Sequence, residues 1–296
     1  MMLAPIAAFA PAKVNLSLRV VGRQPDGYHR LDSLVVFAAI GDRLTFQPGP
    51  ALSLTVTGPF GGGLADEADN LVLRAAHALA EAAGIEPHGA LTLEKNLPVA
   101  SGIGGGSSDA AAALRLLARA WGLSLPPEAM GALALSLGAD VPVCMARKPT
   151  RMAGIGEVLA PVPPLPALGM LLVNPGVACP TGAIFRARAA SGSGFSSADA
   201  APADGWSRAQ TLAVGLAASG NDLEAPAMIV APIIGDVLAA IAGQPDCLLA
   251  RMSGSGATCF GLFPDTEAAQ RAAARLSGDG WWSWGGGLYD PACSAL

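Results

Sequence analysis

An α+β fold of two domains is what the sequence predicts, on three observations. The chain has 296 residues, more than one ordinary domain and enough for two. Its second half reads strand, helix, strand, strand, helix, strand, the split βαβ order of ferredoxin-like folds, with extra helices in the first crossover. Its first half mixes strands and helices around a glycine–serine loop that opens directly into a helix. The stretch APVPPLPAL at 160–168 is a natural linker, which sets the domains at 1–160 and 161–296.

Each element has a local reason. From Lys13 to Val21 the pattern alternates: Val14, Leu16, Leu18 and Val20 share one face, while Lys13, Asn15, Ser17 and Arg19 share the other. GRQPDG is a turn, and Leu31–Phe37 reads as the partner strand. Further strands are predicted at 43–47 and 51–57. After a loop at Gly61–Gly63, Asp69 is placed to cap a helix running to about Ala83. His88–Lys95 alternates again and delivers the chain into PVASGIGGGSSDAA at 98–111. Beyond it, Ala110, Leu114, Leu117 and Trp121 recur at helical spacing. Pro126–Leu137 reads as a helix stopped by Gly138, and GADVPVC as a polar turn returning to apolar residues.

In the second half, strands are predicted at Gly169–Val173, Cys247–Met252, Ala257–Phe263 and Trp281–Leu288. Helices are predicted around 181–189, 207–218 and 231–242 and at Thr266–Leu276. The Ser-, Gly- and Ala-rich stretch Ser191–Gly205 reads as a mobile surface loop.

Composition excludes several functions. A net charge of −5 argues against nucleic-acid binding, which calls for a basic face. The three histidines, at 29, 77 and 88, lie too far apart for a local metal site. Five cysteines without a CxxC pair fit reduced thiols in the cytoplasm. The N-terminal MMLAPIAAFAPAK lacks the basic region of a signal peptide, and Ala225–Gly243 is interrupted by Pro226, Pro232 and Asp236, so no membrane partner is expected.

The glycine loop carries the chemistry. Glycines at 102, 104, 105 and 106 let the backbone approach a bound group, and the helix behind them offers unsatisfied N–H groups and the positive end of its dipole. That suits a phosphate. Yet the P-loop pattern wants a lysine after its last glycine, and here Ser107 and Ser108 follow Gly106. GxGxxG is not supplied either, and a flexible loop that merely turns into a helix is the plain alternative.

Three stretches taken together narrow the reading: PAKVNLSL at 11–18, PVASGIGGGSSDAA at 98–111 and MSGSGATCF at 252–260. In this order they resemble the three motifs of the GHMP kinase superfamily of small-molecule kinases, over most of the chain. DGYHRLDS at 26–33, GADVPVC at 138–144, GIGE at 154–157, NPGVACPTGAIF at 174–185 and NDLE at 221–224 resemble the branch that phosphorylates the 2-hydroxyl of 4-diphosphocytidyl-2-C-methyl-D-erythritol. That branch serves the non-mevalonate route to isoprenoid precursors.

The resemblance implies an N-terminal ATP-binding domain like domain 2 of ribosomal protein S5, a ferredoxin-like C-terminal domain and an active site in their cleft. ATP is the implied phosphoryl donor. Mg²⁺ is expected because its charge is needed on the transferring phosphates, with ligands left unassigned; Asp109 is open between a place near the cation and a helix-capping role. Asp140 matches the catalytic aspartate, which accepts the alcohol proton, and Lys13 the active-site lysine, which steadies the phosphoryl oxygens. Tyr28, His29 and Phe185 match a cytidine pocket in which two aromatic faces sandwich the base, with Asn15 and Thr181 as neighbouring substrate contacts. ATP would lie on Pro98, Val99, Ala100, Ser101, Gly102, Ile103 and Gly104 and on the helix start at Gly105, Gly106, Ser107 and Ser108. Asn70, Leu71 and Lys95 fall where the family meets adenine. The partner is then a small cytidine-diphosphate alcohol, for a monomer or homodimer. Open alternatives are a superfamily kinase acting on mevalonate-like or homoserine-like alcohols, and a ligand-binding relative that no longer catalyses.

Overall fold

The computed structural model describes residues 6–62, 64, 70–199 and 205–292. They form two compact units, one drawn from 1–12, 40–99 and 104–146, the other from 13–39, 100–103 and 147–296. Two long strands, β1 (Ile6–Asn15) and β3 (His29–Gln47), supply residues to both.

In the first unit the end of β3 pairs antiparallel with β5 (Ala90–Glu94), which pairs parallel with β4 (Ser53–Thr57). Helices α1 (Leu71–Ala83), α2 (Gly105–Ala120), α3 (Pro127–Leu137) and α4 (Val141–Ala146) accompany this sheet, and α2 packs on α1, α3 and α4. Helix α2 can pack closely because its inner face is almost all alanine: Ala110–Ala113 are fully buried, followed by Leu114, Leu116 and Leu117. The cap of α1 is Asn70, whose side chain accepts the Val72 N–H; Asp69 lies outside the described residues.

The second unit contains β2 (Arg19–Arg23), hairpin-paired with the start of β3, and the hairpin β6 (Thr150–Gly154) and β7 (Val158–Pro161), with β6 paired to β3. Its other sheet comprises β8 (Gly169–Asn174), β9 (Leu249–Met252), β10 (Cys259–Phe263) and β11 (Trp282–Gly286) in the order β11-β8-β10-β9, all antiparallel. That is the ferredoxin-like order the second half predicted. Helices α5 (Thr181–Ala190), α6 (Ala209–Ala217), α7 (Glu224–Val230), α8 (Ile233–Ala242) and α9 (Thr266–Leu276) complete the unit. Its core joins Leu18 and Val20 to Leu171, Val173, Ile184, Ile234 and Phe263.

Several elements differ from the sequence reading, each for a local reason. The strand predicted from Lys13 to Val21 is two strands, because the chain changes partners: Leu16 N–H donates to Leu34 O at 2.8 Å, and Leu18 N–H to Gly220 O at 3.0 Å. Its two faces are not inside and outside; every residue from Lys13 to Leu18 is buried. The separate strands at 31–37 and 43–47 are one strand of 19 residues. Gly41 is not a turn there; a side chain at that position would overlap the backbone of Ala10. GADVPVC is a turn only as far as Asp140 and then the short helix α4. GIGE makes the tip of the β6–β7 hairpin, so the proline-rich stretch begins as a strand. The described part of the serine-rich loop is fastened: Ser196 N–H donates to Val20 O at 2.9 Å and Asp199 meets Arg19 at 3.5 Å. No described helix is long and apolar enough to cross a membrane, and Cys144, Cys179, Cys247 and Cys259 are free thiols.

Helix α9 lies so close on β11 that a Cβ on Gly285 would overlap the Ala269 carbonyl. Gly285→Ala should therefore lower stability by about 1–3 kcal/mol through overpacking, measured as the shift in urea midpoint. An unchanged midpoint would contradict that packing.

Candidate active site

In the second unit the three glycine and serine motifs meet through hydrogen bonds. The Ser253 hydroxyl accepts the Asn15 N–H at 3.1 Å and donates to Gly102 O at 3.1 Å. Lys13 N–H donates to Ile103 O at 2.9 Å, and Thr258 N–H to Ser101 O at 3.0 Å. Gly102 has φ of +75°, and a Cβ there would lie 2.6 Å from Gly256 O and 2.7 Å from Ser253 O. No other residue fits. Asn15 is buried; its Nδ2 donates to Ser33 Oγ at 2.7 Å, while its Oδ1 has no hydrogen-bond partner. A buried acceptor left unpaired is costly, and a ligand donor would satisfy it.

Residues outside the glycine motifs hold this junction. Asn221 Nδ2 donates to Met252 O and Gly254 O, both at 2.8 Å, and Glu224 accepts the Met252 N–H at 2.7 Å. The NDLE stretch is thus the brace of the third loop, a role its sequence did not announce. Thr181, first residue of α5, exchanges a hydrogen bond with Ser255 at 2.9 Å.

His29 and Phe185 stack face to face with centroids 4.3 Å apart and planes at 14°. That spacing leaves no gap for a base between these two rings. Tyr28, 63% exposed, is the ring free of such packing. The His29 pKa is lowered, by burial first and then by Arg23, its cross-strand partner, and Arg188, one helical turn beyond Phe185. At pH 7 the imidazole is neutral, with one donor and one acceptor nitrogen.

In the first unit, Gly104 caps α2 in the left-handed conformation, φ +63°, and Ser108 N–H closes the first helical bond onto Gly104 O at 2.8 Å. The N–H groups ahead of Ser108 have no acceptor within the helix. Ser108 Oγ instead donates to Pro11 O at 2.8 Å. Leu71 lies against this start, its Cδ1 3.3 Å from where a Gly106 Cβ would stand. Pro98 is buried, whereas Val99 and Ala100 are exposed. Asp140 is half-buried, and its carbonyl accepts the Cys144 N–H at 3.2 Å in α4.

Beneath the start of α2 lies a buried ion cluster. Lys95 Nζ meets Asp109 Oδ2 at 2.7 Å and also pairs with Asp42 Oδ2, and it would lie 3.4 Å from a Cβ on Gly105. Asp42 Oδ1 accepts the N–H groups of Asn96 at 2.6 Å and Leu97 at 2.9 Å. Asp109 Oδ1 is buried and receives no hydrogen bond. The Lys95 side chain is therefore committed to two carboxylates. The Asp109 pKa is raised to about 7: burial is the largest cause, Lys95 opposes it, and the neighbouring Asp42 carboxylate adds to it.

A glycine-capped helix start in a mixed α/β unit, with a ferredoxin-like unit carrying a second glycine–serine loop, accords with the class of small-molecule kinases that the family models identify. The family model for the GHMP kinases N terminal domain matches residues 70–148, and that for GHMP kinases C terminal matches 200–280. The chain belongs to the GHMP kinases and, within them, to the family of 4-diphosphocytidyl-2-C-methyl-D-erythritol kinases. It is 55% identical over 278 residues to the enzyme of that name from Paramagnetospirillum magneticum, covering 92% of this chain and 95% of that one. It is 56% identical over 282 residues to that of Dinoroseobacter shibae, covering 94% and 93%. A crystal structure of a 4-(cytidine 5'-diphospho)-2C-methyl-D-erythritol kinase superposes with a TM-score of 0.79 at 34% identity, covering 96% of this chain and all 100% of that one.

Asp109 gives a signed pH prediction. A carboxyl that holds its proton more tightly folded than unfolded stabilises the fold below about pH 4 and loses that contribution as pH rises to about 7. The urea midpoint of Asp109→Asn, minus that of wild type, should climb across this range and level off above it. A flat difference would show that Asp109 does not titrate there.

Proposed function

We infer that this chain transfers the γ-phosphoryl group of ATP to the 2-hydroxyl of 4-diphosphocytidyl-2-C-methyl-D-erythritol, in the cytoplasm. The observation that carries the reading is the junction of Lys13–Asn15, Ser101–Ile103 and Ser253–Thr258, in a chain more than half identical to kinases of that name. In the reaction the hydroxyl oxygen forms a bond to the γ-phosphorus, the bond to the bridging oxygen of ADP breaks, and the hydroxyl proton goes to Asp140. Lys13 offsets charge on the transferring oxygens. Mg²⁺ enters as part of the ATP substrate. Among the described residues no group of three His, Cys, Asp or Glu is arranged to hold a metal ion, and Asp109 is already paired with Lys95.

The free N–H groups at the start of α2 cradle ATP phosphates, and Leu71 beside them flanks the nucleotide. On the substrate side the cytosine stacks against the His29–Phe185 pair under Tyr28. Neutral His29 presents a donor and an acceptor to the base edge, and Asn15 Oδ1 takes a substrate hydroxyl.

Three measurements test this. Asp140→Asn should retain both ligands and lose about 10²–10⁴-fold in kcat, in an assay that also offers mevalonate and homoserine. Near wild-type kcat, or a preference for either control alcohol, would overturn the assignment. Gly104→Val forces a branched residue into the left-handed region and should weaken ATP binding far more than binding of the cytidine substrate. Equal losses would remove the cradle. His29→Ala should erode the ratio of kcat/KM for cytidine over uridine analogues, since an edge-reading site discriminates by leaving groups unpaired. An unchanged ratio removes His29 from the pocket.

A further inference from the structure

The ion cluster under α2 has an unbalanced charge. Two carboxylates, Asp42 on β3 and Asp109 in the second turn of α2, share the single ammonium of Lys95. All three side chains are at most 4% exposed. With both acids ionised the cluster carries one net negative charge, buried a few ångströms from the helix start that receives anionic phosphates. Among the described residues, Lys95 is the cation with which the two carboxylates pair. Helices α1, α3 and α4, also packed on α2, turn apolar groups inward, Val72, Ala75, Ala134 and Val141 among them, and Arg74, His77, Glu81 and Glu128 are exposed.

The geometry also shows where a proton fits. Asp109 Oδ1 is buried without a hydrogen bond, and Asp42 Oδ2 and Asp109 Oδ2 converge on the one Lys95 ammonium. Two carboxyl groups can hydrogen-bond directly only when one of them carries a proton. With that proton the cluster is neutral: one carboxylate, one carboxylic acid and one ammonium.

We propose that the Asp42–Asp109 pair takes up one proton when nucleotide phosphates bind at the start of α2, making ATP binding proton-coupled. An anion at the helix start raises the cost of the second carboxylate beneath it, and a proton from solvent removes that cost. By reciprocity, raising the pH weakens nucleotide binding. The inference rests on the reading of α2 as the phosphate cradle.

The test is calorimetry of Mg·ATP binding to the whole protein without the alcohol substrate, between pH 7 and 8.5, in buffers of different ionisation enthalpy. Mg-bound ATP has no titrating group of its own in that range. Wild type should take up a fraction of a proton, rising toward one, and its Kd should increase by up to about tenfold per pH unit. Asp109→Asn should bind Mg·ATP with no uptake and a flat Kd, tighter than wild type at pH 8.5. The wild-type titration stands alone if that variant does not fold: binding without proton uptake overturns the proposal and leaves the cradle intact. Uptake that persists in Asp109→Asn overturns it too, by placing the proton elsewhere. If wild type binds no Mg·ATP, the cradle reading falls and the coupling with it.

Discussion

The hydroxyl of Ser253 carries a disproportionate share of this structure. It accepts a hydrogen bond from Asn15 and gives one to Gly102, partners 238 and 151 residues away in sequence. Around it the Lys13–Ile103 and Ser101–Thr258 bonds tie the same three segments by their backbones. Closing loops of that length costs chain entropy, so the contacts that hold them must be numerous and well satisfied. They are: the third loop is also braced by Asn221 and Glu224, and Gly102 admits no side chain. A junction built this way is organised without any ligand, and preorganisation of that kind lowers the cost of binding.

The sequence announced these motifs but not their wiring. Glycine–serine loops are legible because few other compositions allow close approach to an anion. The ferredoxin-like order of the second half was legible because its strands and its last helix have clean periods. What alternation could not show was where a strand changes partner, as at Leu16–Leu18, or runs on through a glycine, as at Gly41. Both depend on a distant backbone segment. NDLE entered only through its resemblance to the family, and nothing in its sequence showed that its asparagine and glutamate serve backbone groups of residues 252–254. The resemblance grouped Tyr28, His29 and Phe185 around a base, but nothing in the sequence placed the His29 and Phe185 rings directly on each other.

The absence of a P-loop lysine was the strongest objection to a phosphate site in the glycine loop. Lys95 does not answer it as a free point charge, since its ammonium is shared by Asp42 and Asp109 and the cluster is neutral or negative. On the proposed reading, the attraction for phosphate at α2 comes from backbone N–H groups and the helix dipole, fixed partial charges that need no reorganisation when the anion arrives. Such a cradle holds phosphates by geometry more than by net charge. A lysine spent on two buried acids fixes the floor of the cradle instead: Asp42 grips the backbone of Asn96 and Leu97 just before the loop, Asp109 belongs to the helix just after it, and Lys95 joins them. The loop is thus clamped at entry and exit by one ammonium, and its glycines are free to shape only the span between.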